Sequence, residues 1–252
     1  MTQMIGRKVE HVSETVSTMD DVASRAAAGE PEGLVIRADS QTGGRGRYQR
    51  QWESAASKDI LLSILFRPRP SLVNEVNLLV ATSVAETTDK FCSVQTKIKW
   101  PNDVRVNGAK VGGLLLESSQ SSGGLAVVAG IGLNVNSEMT GRLPDGVEAV
   151  SFKDLAEREF DLAEIAKFLL ARIDYYYSRV NAGETVLELW KQRLETLGRK
   201  IAVTFTSASQ AEQQLVGIAE EVDETGRLLV RDAGGRVWPL AAGEVTMHGS
   251  DL

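Results

Sequence analysis

Lys97-Ile98-Lys99-Trp100-Pro101-Asn102-Asp103-Val104-Arg105-Val106-Asn107-Gly108-Ala109-Lys110-Val111 reads as antiparallel sheet. Its first four residues alternate polar and apolar, so Ile98 and Trp100 share one strand face and Lys97 and Lys99 the other. Pro101 has no amide hydrogen for a ladder and ends that strand. Asn107-Gly108 then stands between Val104-Arg105-Val106 and Ala109-Lys110-Val111, the residue pair that best tolerates the positive φ angles of a two-residue hairpin. A further strand, Leu114 to Glu117, leads through a Ser/Gly-rich loop to Leu125–Gly130.

Upstream, Ser17-Thr18 precede a helix-favouring stretch, Asp20 to Ala28, with acids in its first turn and Gly29 at its end. Leu34 to Arg37 is predicted as a strand, followed by a Gly/Arg-rich loop from Thr42 to Arg50 and a strand from Ile60 to Phe66 that stops before Pro68. Leu72, Val76, Leu79, Val80 and Val84 then recur at helical spacing. Downstream, helices are expected at Leu162–Val180 and Val186–Leu197, with Gly183 and Gly198 as stop signals. Beyond Gly198 short strand candidates follow one another: Ile201–Phe205, Gln214–Ile218, Leu228–Val230 and Val237–Leu240, with turns such as Glu224-Thr225-Gly226. That texture suggests a small β-barrel module. The expected division is a main domain over residues 1–197 and a β domain over 198–252.

Composition narrows the possible functions. With 42% hydrophobic and 25% charged residues in 252, an ordinary globular core is expected. A net charge of −6 argues against broad nucleic-acid binding, which needs a basic field. Apolar runs such as Ile60-Leu61-Leu62 and Leu114-Leu115-Leu116 are too short to cross a bilayer. Met1 to His11 has no apolar stretch of signal-peptide length. Cys92 stands alone, which excludes an internal disulfide and a cysteine-rich zinc site. His11 and His248, the two histidines, have no metal-like spacing and are given no role. Together these features favour the cytoplasm.

Three segments suggest chemistry. In Gln41-Thr42-Gly43-Gly44-Arg45-Gly46-Arg47-Tyr48-Gln49-Arg50-Gln51-Trp52, glycines let backbone amides approach a phosphate and guanidinium forks suit its oxygens. The same loop reads equally as a solvated connector. It is neither a Walker A loop, lacking Gly-Lys-Ser/Thr, nor a dinucleotide fingerprint, lacking the third glycine. Lys97 and Lys99 project roughly 6–7 Å apart from one strand face, which favours an anion above them or simply an exposed lysine face. In Gly130-Ile131-Gly132-Leu133-Asn134-Val135-Asn136, glycines leave room for a flat ligand and asparagine amides suit a base edge, although a strand running into a turn has the same pattern.

Taken together with Lys110-Val111-Gly112-Gly113-Leu114-Leu115-Leu116-Glu117, these segments occur in the order and spacing of biotin–protein ligases, and the chain resembles that family from about Ser17 to Asn136, with a weaker likeness in its C-terminal β module. The resemblance implies an α+β fold: a mixed, largely antiparallel, class II synthetase-like sheet with helices packed on one side, plus a small SH3-like barrel. It implies ATP-dependent conversion of biotin to biotinyl-5′-AMP, then transfer of biotin to a lysine of the biotin carboxyl carrier domain of an acetyl-CoA or related carboxylase. ATP and biotin would be substrates and Mg²⁺ the companion ion.

Residue by residue, Ser17 and Thr18 match a biotin-contacting pair and Gln41 a glutamine at the biotin end. Met19 stands where the family often has asparagine. Gly44, Arg45, Gly46 and Arg47 match the adenylate loop, with Arg45 and Arg47 toward the biotin carboxylate and phosphate. Lys99 matches the strand lysine reaching the same groups, making Lys99 and Arg47 the expected catalytic residues. Gly113 and Leu114 match a backbone segment along the biotin pocket and Asn134 an asparagine near the adenine. Trp52 is expected on the adenylate side as an anchor of the loop base, and Trp100 in the core. Asp103 reads either as a Mg²⁺ ligand or as a turn cap, and Glu117 as a site-facing acid or a surface strand end. Gln49 replaces the third glycine of the family loop, and glutamine disfavours positive φ. A lipoate–protein ligase shares the acyl-adenylate strategy, and a non-catalytic biotin-binding regulator is a further reading. A DNA-binding domain is not expected before a ligase-like region beginning near residue 11; the assembly is expected to be monomer or homodimer.

Overall fold

The computed structural model describes residues 3–121, 124–139, 148–206 and 212–247; His248 lies outside them. The main sheet has seven strands: β1 (Lys8–Thr15), β2 (Leu34–Gln41), β3 (Ile60–Phe66), β4 (Lys97–Lys99), β5 (Asp103–Val106), β6 (Ala109–Ser121) and β7 (Gly124–Leu133). Their spatial order is β1-β2-β3-β7-β6-β5-β4. Only β1 and β2 run parallel; the other neighbours are antiparallel. The Asn107-Gly108 hairpin forms as expected, with φ of 48° and 85° at its two turn residues.

The alternation along β3 sorts the two faces. Ile60, Leu62, Ile64 and Phe66 point into the larger core, together with α2 (Val73–Cys92) and α4 (Leu162–Asn181). Leu65 packs on the opposite face with Met19, Val22 and Ala26 of α1 (Thr18–Ala27). The longer helices therefore cover one face, while α1 covers part of the other and leaves room beside itself for a cleft. Burying side chains of this size contributes roughly 1.5–3 kcal/mol each, so this two-faced pattern fixes the register of β3.

Several elements extend beyond their sequence signals. Helix α2 continues through a polar stretch because Ser83, Thr87 and Thr88 donate their hydroxyls to the carbonyls of Leu79, Ser83 and Val84, at 2.7, 2.7 and 3.0 Å. With those hydroxyls satisfied, the stretch can be buried. The Gly112-Gly113 pair does not interrupt β6, which runs unbroken over residues expected to form two strands. Strand β1 carries little hydrophobic signal because it is an edge strand with alternating half-buried and exposed positions. Helix α3 (Phe152–Ala156) begins with a reciprocal capping box between Ser151 and Asp154.

The helix expected over Val186–Leu197 is corrected: α5 covers only Leu187–Lys191. The following residues instead run alongside β4, where Ile98 N–H donates to the Arg193 carbonyl at 2.8 Å and Glu195 N–H to the Ile98 carbonyl at 3.0 Å. Backbone pairing to the lysine-bearing strand wins over helical propensity there.

A second, antiparallel sheet follows: β8 (Lys200–Thr206), β9 (Glu212–Val222), β10 (Leu228–Asp232), β11 (Val237–Leu240) and β12 (Glu244–Met247), in the order β11-β10-β9-β8-β12. Its inward residues Ile201, Val203, Leu228 and Val230 belong to the same core cluster as α2. The Trp100 indole, 2% exposed, donates to the Gly226 carbonyl at 3.1 Å and so ties the end of β4 to a turn of this sheet.

Candidate functional site

A cleft of about 700 Å³ lies beside α1, on the sheet face away from α2. The start of α1, the loop after β2, the middle strands and the β12 strand all contribute to its walls. Of the residues singled out from sequence, Ser17, Thr18, Gln41, Arg45, Gly46, Arg47, Trp52, Lys99, Asp103, Gly113, Leu114 and Asn134 all line it, although they are scattered over more than a hundred positions.

One end is polar. Thr18 N–H donates to Gln41 Oε1 at 2.8 Å, and the Thr18 hydroxyl donates to the same oxygen at 3.0 Å. Ser63, on β3, lies 2.8 Å from the Thr18 hydroxyl. Sequence reasoning missed Ser63, because a single serine inside Ile-Leu-Leu-Ser-Ile-Leu-Phe carries no signal beyond its place on the face opposite the large core. Ser17 makes no side-chain cap bond at the start of α1, so its hydroxyl is not engaged in the capping role that its position suggests. Met19 is buried against Gly130, where an added methyl would sit 2.7 Å from its sulfur.

The Gly/Arg loop is a small hairpin. Gly43 N–H donates to the Val16 carbonyl at 2.9 Å, Gly46 N–H to Arg50 at 2.7 Å, and Trp52 N–H to Gly44 at 2.9 Å. The left-handed residue is Tyr48 (φ 57°, ψ 38°), one position before Gln49. The conformation that glutamine disfavours therefore falls on a neighbouring residue.

Two arginines tie this loop to different parts of the site. Arg45 makes a forked pair with both carboxylate oxygens of Asp20, 2.7 Å each, with Glu117 3.8 Å away. This pairing holds the Asp20 carboxyl below its usual range, the Arg45 hydrogen bonds being the largest cause. Arg47 reaches the strand end, where it donates to Asn102 Oδ1 at 3.3 Å. Asn102 in turn donates to the Leu114 carbonyl, linking the loop to β6. Arg50 pairs with Glu244 of the second sheet.

Lys99 lies half-buried on β4, and burial pushes its ammonium below the usual lysine range, partly offset by Asp103. The Asp103 carboxylate is 2.7 Å from the Lys110 ammonium. Among the described residues no group of three or more His, Cys, Asp or Glu side chains is placed to hold a metal ion. Leu114 turns its side chain into the core and presents only backbone to the cleft side.

The glycines of β6 and β7 make room for a protein ring. A methyl on Gly132 would lie 2.3 Å from the Trp52 ring and one on Gly113 2.9 Å from it, so the indole rests directly on this glycine floor. Lys110 Nζ stands 5.5 Å from the same ring. The Trp52 indole N–H is buried without a hydrogen-bond partner. Asn134 is engaged differently from a base-reading amide: its Nδ2 donates to the carbonyls of Lys110 and Val150 at 3.3 and 3.2 Å, leaving only Oδ1 for another group. Buried Asp59 accepts from Val135 N–H at 2.8 Å and the Ser137 hydroxyl at 2.5 Å, fixing the chain that leaves β7.

The arrangement places a polar end, a half-buried lysine and an arginine-bearing hairpin loop along one cleft. Comparison with known proteins identifies relatives with this arrangement of sequence. Residues 14–136 match the model of the Biotin/lipoate A/B protein ligase family. A Mycobacterium tuberculosis protein named biotin–[acetyl-CoA-carboxylase] ligase is 34% identical, over 96% of this chain and 92% of its own. The bifunctional ligase/repressor BirA of Bacillus subtilis is 30% identical over 93% of this chain and 72% of its own. In fold, the chain matches a structure of the Aquifex aeolicus biotin protein ligase in complex with biotin and ATP, with a TM-score of 0.77 at 23% identity over 96% of this chain and 99% of that one.

Proposed function

Since the chain belongs to the biotin/lipoate A/B protein ligase family as a biotin–protein ligase, we propose that its cleft performs both halves of biotin transfer. Biotin is activated with ATP: its carboxylate attacks the α-phosphate, biotinyl-5′-AMP forms and pyrophosphate leaves. The acceptor lysine then attacks the mixed anhydride and AMP departs. The observation that carries this reading is the near full-length match to the mycobacterial ligase, joined to a cleft that gathers Lys99, Arg47 and the Thr18–Gln41 end.

The physical difficulty is bringing an anion to a polyanion. We assign Lys99 and Arg47 to the α-phosphate and biotin carboxylate, where fixed cations lower the repulsion and stabilise charge developing in the transition state. Ser17, Thr18 and Gln41 are assigned to the biotin head, Gly113 and the Leu114 backbone to the wall between, and Trp52 and Asn134 to the nucleotide side. Gly44, Arg45 and Gly46 form the loop that closes over the adenylate. Holding both substrates in one cleft contributes the orientation that a bimolecular encounter lacks.

Mg²⁺ would enter with the phosphates of ATP, which it neutralises. The Asp103 carboxylate, already paired with Lys110, offers one oxygen ligand and does not constitute a metal site alone. The partner is the carboxyl carrier domain of a biotin-dependent carboxylase, in the cytoplasm, with no nucleic-acid partner on a net charge of −6. No described helix is long and apolar enough to cross a membrane. We propose a domain boundary along the chain near Leu197.

The test is biotin-dependent exchange of labelled pyrophosphate into ATP, with lipoate in parallel. Exchange with biotin alone is the expected result. Exchange with lipoate alone would move the chain to the lipoate branch of its family, and exchange with neither would favour a binding protein without catalysis.

A further inference from the structure

We propose that Asp20 is a positioning residue that latches the adenylate loop through Arg45, and that the Arg45 side chain holds the loop rather than the substrate. The inference rests on the reading of the cleft as a biotin-activating site and deepens it. Asp20 was singled out from sequence only as an acid in the first turn of a helix, a place where a carboxylate is favoured by the helix dipole whatever else it does.

The geometry gives it a second task. Both Asp20 oxygens accept from Arg45, Oδ2 from Nη1 and Oδ1 from Nη2, each at 2.7 Å. This is the parallel two-bond fork in which a guanidinium is most strongly and directionally held by a carboxylate. Glu117 adds a second negative charge 3.8 Å from Nη2. A guanidinium with both terminal nitrogens engaged by one acid and a second acid beside it is poorly disposed to leave for a phosphate.

Arg47 is placed otherwise. It meets a neutral amide oxygen, Asn102 Oδ1, at the longer distance of 3.3 Å. The two loop arginines, alike in sequence, thus have different electrostatic settings: one faces two carboxylates, the other an amide that competes weakly with an incoming anion.

The latch also has a consistent mechanical setting. The loop base is fastened to the same helix turn by Gln41, which accepts from Thr18. Thr18 and Asp20 are two residues apart, so the turn that bears the biotin-head contacts also bears the loop fastening. Displacing that turn would loosen both. The pair is partly exposed, with side chains 31% and 50% accessible, so its strength is moderate and should weaken with salt. A latch that must open for the acceptor lysine suits that strength.

The experiment compares the wild-type protein with Asp20→Ala, Asp20→Asn and the charge-exchanged Asp20→Arg/Arg45→Asp pair. Two quantities are read for each: the pyrophosphate-exchange rate, and the rate at which preformed biotinyl-AMP escapes, followed by labelling of lysines on serum albumin. Asp20→Ala and Asp20→Asn are expected to release the intermediate about 2- to 5-fold faster, the upper part of the range for a well-formed but solvent-accessible fork, with exchange within about twofold of wild type. The exchanged pair should restore retention. Escape at the wild-type rate from Asp20→Ala and Asp20→Asn would overturn the proposal. So would failure of the exchanged pair to restore retention while it melts like wild type, since that outcome would assign the Arg45 charge to the ligand. Asp20→Asn keeps shape and helix start, so instability of the alanine variant leaves the test intact. Absence of exchange in the wild-type protein would instead strike the substrate reading itself.

Discussion

Lys99→Ala is expected to slow adenylate formation by roughly 30- to 1,000-fold, equivalent to about 2–4 kcal/mol of transition-state stabilisation, the range for losing one preorganised charge in a water-poor site. The side chain is half-buried, and burial is what pushes its ammonium below the usual lysine range. An ammonium already stripped of part of its hydration needs little reorganisation when charge develops beside it. A pH dependence follows. The cation, being the working form, is lost as pH rises through a lowered pKa, so the exchange rate should decline at a pH where an ordinary lysine is still protonated. Lys99→Arg, whose guanidinium stays charged, should lose that alkaline decline even if its rate is lower. Near-normal exchange by Lys99→Ala would remove the residue from the catalytic role.

Arg47→Gly is expected to act twice: it removes one of the two cations assigned to the α-phosphate and so slows adenylate formation, and it acts again later in the reaction. This residue bridges the loop to Asn102, and Asn102 continues the link to the Leu114 carbonyl. Without it the loop loses its side-chain tie to the strand end, and a glycine in its place adds backbone freedom. Biotinyl-AMP should escape before an acceptor arrives and label nearby lysines indiscriminately. The check is the ratio of carrier-domain labelling to bulk-protein labelling, which should fall sharply. A variant that stayed selective would mean that Asp20–Arg45 and the loop base retain the intermediate unaided.

Much of the fold was legible because it depends on local rules. Asn107-Gly108 specifies its hairpin through backbone preference, and Ile60–Phe66 is apolar enough to read as a strand. The edge strand β1 and the truncated helix α5 were not legible, since one is defined by its neighbour β2 and the other by pairing of Arg193 and Glu195 with Ile98. The site divides in the same way. Its charged residues stood out by type and spacing, whereas Asp20, Ser63 and Asn102 acquire meaning only from partners 25, 45 and 55 positions away. The glycines of β7 were read as leaving room for a flat ligand; in this structure the flat group lying against Gly132, and against Gly113 of β6, is the Trp52 ring.

The Trp100 indole has a consequence for how the molecule comes apart. It is clamped between the two sheets, donating to the Gly226 carbonyl from one side while the Trp100 backbone N–H donates to the Thr196 hydroxyl oxygen at 3.0 Å on the other. Around it one continuous apolar cluster includes Leu79 of α2, Trp190 of α5 and Val203 of β8. A boundary drawn along the chain near Leu197 therefore does not divide the energetics. Heat should melt both sheets in one calorimetric transition, with calorimetric and van't Hoff enthalpies agreeing; two resolved peaks would show that the small sheet unfolds on its own.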